Sequence, residues 1–240
     1  MQVTDAIILA GGLGRRLRAV VPNQPKPMAL VRGRPFLEYL LEAWIARGIS
    51  RFILSVGYRA ECIIDHFGLT FRGATLVYVR ESSPLGTGGA LRAASAALPA
   101  QTPFFAMNGD TFFDLPVGTM VAAQVRTGSG LTLALAPRPA GDRYGNVTFD
   151  SAGRILALMD GGTSSPWING GVYLFAGRDL LDQLAEGPLS FENDVLPAWI
   201  DAGLGLTACP FPGRFIDIGV PEDFHAAQDF FAAPPRVKEH

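Results

Sequence analysis

The sequence predicts an α/β protein, and three observations lead there. Strand and helix signals alternate through the first 110 of its 240 residues. A glycine-rich loop, Gly11-Gly12-Leu13-Gly14, directly follows the first apolar strand signal. Two acidic residues, Glu81 and Asp110, each directly follow later ones. Alternation of this kind implies a mostly parallel sheet with helices on both faces. Ligands in such sheets collect at the carboxyl ends of the strands, so the loop and both carboxylates should meet on one edge. The expected architecture is a single Rossmann-like domain with a mostly parallel to mixed sheet flanked by helices.

Ala6–Ala10 is a short apolar run stopped by glycines, a buried-strand signal. Phe36–Arg47 sets Phe36, Leu37, Leu40, Leu41, Trp44 and Ile45 on one helical stripe, ended by Gly48. Arg51–Val56 is a second strand, Ala60–Phe67 a short helix and Thr75–Val79 a third strand. Gly88–Leu98 is an alanine-rich helix, and Phe104–Met107 a strand running into Asn108-Gly109-Asp110. Beyond it the pattern is mixed. Leu115–Arg126 reads as helix. Leu131–Ala136, Asn146–Phe149, Ile155–Leu158 and Val172–Phe175 read as strands. Asp194–Ala202 and Pro221–Ala232 read as helices, the latter with proline at its start. One domain over 1–232 is expected, with two halves meeting at about residues 114 and 115 and a frayed polar tail at 233–240.

Apolar residues make up 48% of the chain, enough for a sizeable core, and the formal net charge is −2. That balance gives no global basic field for nucleic acid. The two cysteines, Cys62 and Cys209, form neither a metal spacing nor a disulfide framework, and read as small apolar side chains of a reduced, cytoplasmic protein. No apolar stretch approaches the roughly 20 residues that a membrane span needs.

The chain carries two lysines, Lys26 and Lys238, among 20 basic residues. Lys26 stands between Pro25 and Pro27. A compact ammonium differs from arginine's planar fork, and a lone one beside a glycine loop points to phosphate chemistry. The loop alone reads equally as a tight turn. It lacks the third glycine of the dinucleotide fingerprint, and no Walker lysine follows it. Arg15, Arg16 and Arg18 cluster next to it, as a solvated basic turn or a triphosphate grip. Asp110, ending a strand, is either a turn aspartate or a Mg²⁺ ligand. Asp217, inside Phe215-Ile216-Asp217-Ile218-Gly219, is either an outward strand residue or a second ligand. Burying a carboxylate is costly unless it is paired or metal-bound. His66, His225 and His240 show no ligand spacing.

These residues together resemble the sugar-phosphate nucleotidyltransferase family. The likeness runs through Leu9-Ala10-Gly11-Gly12-Leu13-Gly14, Pro25-Lys26-Pro27-Met28, Glu81, Pro84-Leu85-Gly86-Thr87-Gly88-Gly89, Asn108-Gly109-Asp110, Tyr144-Gly145, Ile168-Asn169-Gly170-Gly171 and Phe215 to Gly219. It spans about residues 5 to 225, and several separated motifs in order are far more specific than one. The wording around Lys26, Gly86 and Asn169 looks most like the branch that guanylylates a heptose 1-phosphate. The resemblance implies one in-line displacement on an NTP by a sugar 1-phosphate, with Mg²⁺ as cofactor and pyrophosphate leaving. Catalytic roles fall to Arg16, on the expelled pyrophosphate, and Lys26, on the α-phosphate or the incoming phosphate. Leu9, Ala10, Gly11, Gly12, Gly14, Arg15, Glu81, Pro84, Gly86, Thr87, Gly88, Asn108 and Asp110 fall to the nucleotide. Gly109, Arg143, Tyr144, Gly145, Asp160, Asn169, Gly170 and Glu192 fall to the sugar, and Asp110 and Asp217 to the metal. The chain departs from the family in three places. Arg15 replaces the usual threonine. Asp160-Gly161 and Glu192-Asn193-Asp194 stand where relatives often carry Glu-Lys and Glu-Lys-Asp. The expectation is that Arg143 supplies the missing positive charge.

Glu81 speaks to the base. Guanine presents adjacent N1–H and N2–H donors that one carboxylate accepts together, whereas uracil and thymine flank a single N–H with carbonyls. At a base-reading position Glu81 favours GTP; otherwise it is a surface residue at a strand end. Mannose 1-phosphate or another NTP and sugar pair is the near alternative, and a silent nucleotide-sugar-binding regulator the alternative of another class. Oligomeric state is not legible, although the resemblance leans towards a homodimer.

Overall fold

The computed structural model describes residues 2–17, 20–22, 24–139, 145–159 and 165–232, with backbone alone at Arg15. Its strands are β1 (Asp5–Leu9), β2 (Leu30–Val31), β3 (Arg34–Pro35), β4 (Arg51–Val56), β5 (Thr70–Phe71), β6 (Ala74–Arg80) and β7 (Phe104–Asn108). They continue as β8 (Thr111–Phe113), β9 (Leu131–Pro137), β10 (Asn146–Phe149), β11 (Ile155–Met159), β12 (Trp167–Phe175), β13 (Thr207–Pro210) and β14 (Phe215–Asp217). The helices are α1 (Phe36–Ala46), α2 (Ala60–Phe67), α3 (Gly86–Ser95), α4 (Val117–Thr127), α5 (Asp179–Asp182), α6 (Leu196–Asp201) and α7 (Pro221–Phe230).

Eight of the described strands form one mixed sheet in the order β13-β9-β12-β7-β1-β4-β6-β5. Strand β1 runs parallel to both β4 and β7, and β4 parallel to β6, so all four end on one edge. Strand β12 is antiparallel to β7, pairing Val172 with Met107 and bringing Gly170-Gly171 to that same edge. The expected mostly parallel first half and mixed second half are both present.

The core lies on both faces of the sheet. Ile7 and Ile8 point to opposite sides, and both are fully buried. On one face Trp44 of α1 packs 4.9 Å from Phe105. On the other Phe104 stacks on Phe175 at 5.0 Å. Burying each such side chain contributes about 1.5–3 kcal/mol before entropy is counted. A third cluster, containing Leu17, Phe36, Ile216, Ile218 and Ala227, ties β14 and α7 to the segment after β1.

Element boundaries depart from the sequence reading in instructive ways. Helix α3 starts at Gly86, not Gly88, because the Gly88 and Gly89 amides hydrogen-bond to the Leu189 carbonyl and fix the first turn from outside the helix. The helix expected from Asp194 begins as a wide π-type turn, Phe191–Val195, capped by the Ser190 hydroxyl on the Asn193 amide. Strand β12 begins at Trp167, well before Val172. Its glycines mask the strand signal and carry a bulge, with register shifting between Asn169 and Tyr173 against β9. Strands β8 and β13 are too short for a periodicity signal. Asp217 is not inside the core that its neighbours suggested: Ile216 and Ile218 turn inward by strand alternation, leaving Asp217 half-buried.

Candidate functional site

The four parallel strand ends build the site floor. The Ala10 amide donates to the Ser55 carbonyl at 2.8 Å and the Gly109 amide to the Leu9 carbonyl at 2.9 Å, so the turns after β1, β4 and β7 are stitched together. Close approach bears on two of these glycines, by backbone at Gly109 and by a side chain at Gly11. A Cβ on Gly109 would stand 2.6 Å from the Leu9 oxygen, and one on Gly11 would overlap the Glu81 carboxylate. The loop ends at Gly14, at φ +56°, and enters a 3-10 turn, Arg15–Leu17, in which Arg16 is exposed.

Lys26 opens a second 3-10 turn, Lys26–Met28, with Pro25 extended before it and Pro27 and Met28 buried beneath it. That rigid seat aims the ammonium at Asp110: Nζ donates to Oδ2 at 2.5 Å, with only 13% of the lysine side chain exposed. Charge-assisted bonds of this kind are the short, strong ones. Asp217 lies alongside, because β14 pairs with β8 so that Asp217 faces Thr111, and the Ile218 amide donates to the Asp110 carbonyl at 3.0 Å. The Gly219 amide donates to Asp217 Oδ1 at 2.6 Å and orients that carboxylate. Lys26 and Asp110, far apart in sequence, therefore meet side chain to side chain, and β14 brings the backbone of Asp217 next to that of Asp110.

Glu81 follows β6 and sits against Gly11. Its Oε1 accepts from the Ser55 hydroxyl at 3.1 Å and its Oε2 from the Leu85 amide at 3.1 Å. The carboxylate is thus held at the edge of the glycine loop, and Ser55 is a partner that sequence reading did not single out.

Beside this floor lies a cleft of about 280 Å³, whose lining includes Asn108, Gly145, Asn169, Gly171 and Glu192. A polar network stands in its wall. Asn169 Nδ2 donates to the Tyr173 hydroxyl at 2.8 Å, which donates to Glu192 Oε1 at 3.3 Å. The Thr87 hydroxyl donates to Glu192 Oε2 at 2.6 Å and accepts from the Phe191 amide at 2.7 Å. Burial, and then the Glu192 charge, push the Tyr173 hydroxyl well above its ordinary pKa, so it stays protonated and donates. Asn108 packs against Gly171, where a Cβ would stand 2.9 Å from its Nδ2, and its Oδ1 is buried without a hydrogen-bond partner among the described residues.

Of the expected residues, Gly145, Asn169 and Glu192 meet at the cleft, and Asn108, assigned to the nucleotide, lines it too. Gly170 instead supports the bulge, where a Cβ would press on Phe113 and the Ala134 oxygen. Arg143, Tyr144 and Asp160 lie outside the described residues, as does the Arg15 side chain. Pro84 precedes α3, whose first turn holds Gly86, Thr87 and Gly88. Asn146, Asn193 and Pro197 also line the cleft and were missed, as was Tyr173 behind it. A buried tyrosine in an otherwise apolar strand was the one signal for Tyr173.

The sequence matches the family model described as nucleotidyl transferase over residues 5–233. The chain belongs to the nucleotidyl transferase family. It is 40% identical over 230 residues to a D-glycero-alpha-D-manno-heptose 1-phosphate guanylyltransferase of Aneurinibacillus thermoaerophilus, covering 93% of this chain and 96% of that one. It is 32% identical over 241 residues to the mannose-1-phosphate guanylyltransferase catalytic subunit beta of Drosophila melanogaster, covering 98% of this chain and 65% of that one. The crystal structure of HddC from Yersinia pseudotuberculosis aligns with a TM-score of 0.84 at 32% identity, covering 95% of this chain and all of that one, and it has been solved also in complex with GMP-PN.

Nucleotidyl transfer of this kind implies a divalent cation, and the donor set here fits one. Two carboxylates on adjacent backbone segments offer hard oxygen ligands. Among the described residues no cluster of three or more His, Cys, Asp or Glu side chains forms a closed cage. A small ion held by one or two carboxylates keeps its remaining positions for water and phosphate oxygens, the usual habit of Mg²⁺.

Proposed function

We propose that this enzyme transfers GMP from GTP to D-glycero-α-D-manno-heptose 1-phosphate, giving GDP-heptose and pyrophosphate. The observation that carries the proposal is the 40% identity to a heptose 1-phosphate guanylyltransferase over nearly the full length of both chains. The site geometry supports it. Glu81, held beside Gly11, offers a carboxylate to the guanine N1–H and N2–H pair. The adjoining cleft, walled by Asn169 and Glu192, offers acceptors and donors to sugar hydroxyls.

The chemistry is one displacement. A phosphate oxygen of the sugar 1-phosphate attacks the α-phosphorus of GTP, the bond to the bridging oxygen breaks, and pyrophosphate leaves on the opposite side. The protein's part is placement and charge neutralisation. Lys26 sets its ammonium at the reacting phosphates and Arg16 holds the departing pyrophosphate. Asp110 and Asp217 would hold Mg²⁺, which when bound would supply charge neutralisation to the phosphoryl oxygens. Arg143 is the proposed second grip on the sugar phosphate.

Mannose 1-phosphate is the second reading of the acceptor, favoured by the likeness to the Drosophila catalytic subunit. A cytoplasmic setting and a homodimer belong to the same proposal. No described helix is long and apolar enough to cross a membrane. The deciding experiment measures pyrophosphate release with Mg²⁺ across a grid of NTPs and sugar 1-phosphates. GTP with the heptose 1-phosphate should give the highest kcat/KM. A higher value with mannose 1-phosphate moves the assignment to that sugar, and no turnover with any pair overturns enzymatic function in favour of a nucleotide-sugar-binding regulator.

A further inference from the structure

The Tyr173 side chain is fully buried on β12, its ring edge-on to Phe191 at 4.9 Å. Phenylalanine would fill that space without the penalty of burying a hydroxyl, which costs about 1–3 kcal/mol when left unpaired. The hydroxyl here is paired on both sides, and both partners, Asn169 and Glu192, line the cleft. The bulge at Gly170-Gly171 is what makes this contact available. In a regular strand, residues four apart stand about 13 Å from each other, yet here Asn169 Nδ2 reaches the Tyr173 oxygen at 2.8 Å. The other Asn169 atom, Oδ1, accepts from the Gly171 amide at 3.0 Å, and the other Glu192 oxygen is held by Thr87.

We infer that Tyr173 is a positioning residue: without itself lining the cleft, it holds the Asn169 carboxamide and the Glu192 carboxylate in the orientation that receives the sugar 1-phosphate, with Thr87 as the second anchor of Glu192. This rests on the proposal that the cleft is the sugar site. With every oxygen of Glu192 and both ends of Asn169 bonded to the protein, these two side chains present their remaining valences in one fixed direction. Loosening either end lets the carboxylate turn towards solvent, which weakens sugar binding and leaves the nucleotide loop unchanged.

The test is Tyr173→Phe, which keeps the ring and removes one oxygen. The KM for the sugar 1-phosphate should rise about tenfold or more, the effect of leaving buried partners unpaired, while the KM for GTP and kcat stay within about twofold. Thr87→Val should also raise the KM for the sugar 1-phosphate, read independently of any change in the KM for GTP, and Thr87→Ser should return the sugar KM to the wild-type value; this pair of variants reads the network from another element if Tyr173→Phe does not accumulate. In a Tyr173→Phe, Glu192→Gln double variant the losses should fall well short of additive, as they do for residues in one network. Wild-type turnover with an unchanged sugar KM in Tyr173→Phe, equal rises for both substrates, or full additivity overturns the inference alone. Absence of wild-type turnover with every substrate pair overturns the proposed function and this inference with it.

Discussion

Lys26 and Asp110, 84 residues apart in sequence, form an ion pair at 2.5 Å at the carboxyl end of the sheet. The contact joins the proline-flanked turn after the glycine loop to the end of β7. It places one positive and one negative group where phosphate and metal are proposed to meet, and each neutralises the other until substrate arrives.

Lys26→Ala should therefore lower kcat by roughly 10²–10³, the size of effect seen when one preorganised electrostatic donor is removed. Lys26→Arg should restore little, since a planar fork does not reproduce a compact ammonium. Pyrophosphate release at saturating substrates measures both. A near-normal kcat in Lys26→Ala would remove the lysine from the chemistry.

Glu81→Gln exchanges one acceptor oxygen for a donor and discards the charge. Discrimination for GTP over dTTP should fall by about 1–3 kcal/mol, the range for one bidentate base contact. The quantity to compare is kcat/KM for the two nucleotides in wild type and variant. Retention of the full GTP preference would assign base reading elsewhere.

Gly109→Ala tests the close approach of β1 and β7. The added Cβ meets the Leu9 carbonyl at 2.6 Å, and backbone cannot yield as a flexible side chain can. A loss of about 1–3 kcal/mol in urea unfolding is expected, the usual result of overpacking. Gly12→Ala is the control, because a Cβ there meets nothing within 4 Å. Equal stability of the two variants would contradict the geometry.

Asp217→Asn should raise the Mg²⁺ concentration needed for half-maximal activity by at least about tenfold, the loss typical even of residues that only support a ligand. EDTA should abolish turnover reversibly and lower Tm only slightly, because an ion held weakly at an open cleft stabilises the fold by no more than RT ln(1 + [Mg²⁺]/Kd). A steep fall in Tm with EDTA would point to a structural ion instead.

The cysteines should separate by pH. Burial pushes the Cys209 thiol above its ordinary pKa, whereas Cys62 is only half-buried. The thiolate is the reacting form. A raised pKa therefore leaves Cys209 protonated and unreactive near neutrality, with reaction emerging only as pH climbs. Ellman labelling at pH 8 should show one fast thiol, lost in Cys62→Ser; a fast phase surviving that substitution would refute the order.

The sequence by itself determined the α/β class, the longer strands and helices of the first 110 residues, and the placing of the glycine loop, Glu81 and Asp110 at one sheet edge. These are written in local pattern: alternation of apolar periods, glycines where backbone must approach backbone, a lysine locked between prolines. Tertiary structure decided the rest. That Asp217 turns out of the core while Ile216 and Ile218 turn in depends on β14 pairing with β8, a register no single segment encodes. That Asn108 faces the cleft beside Gly171 depends on antiparallel β12 pairing with β7. That Tyr173 reaches Asn169, Glu192 and, through it, Thr87 depends on a bulge and on the Phe191–Val195 turn docking onto α3. Such contacts join residues separated by as many as 105 positions in the case of Thr87 and Glu192. They are fixed by which strands lie side by side, a property of the assembled core and not of any one stretch of chain.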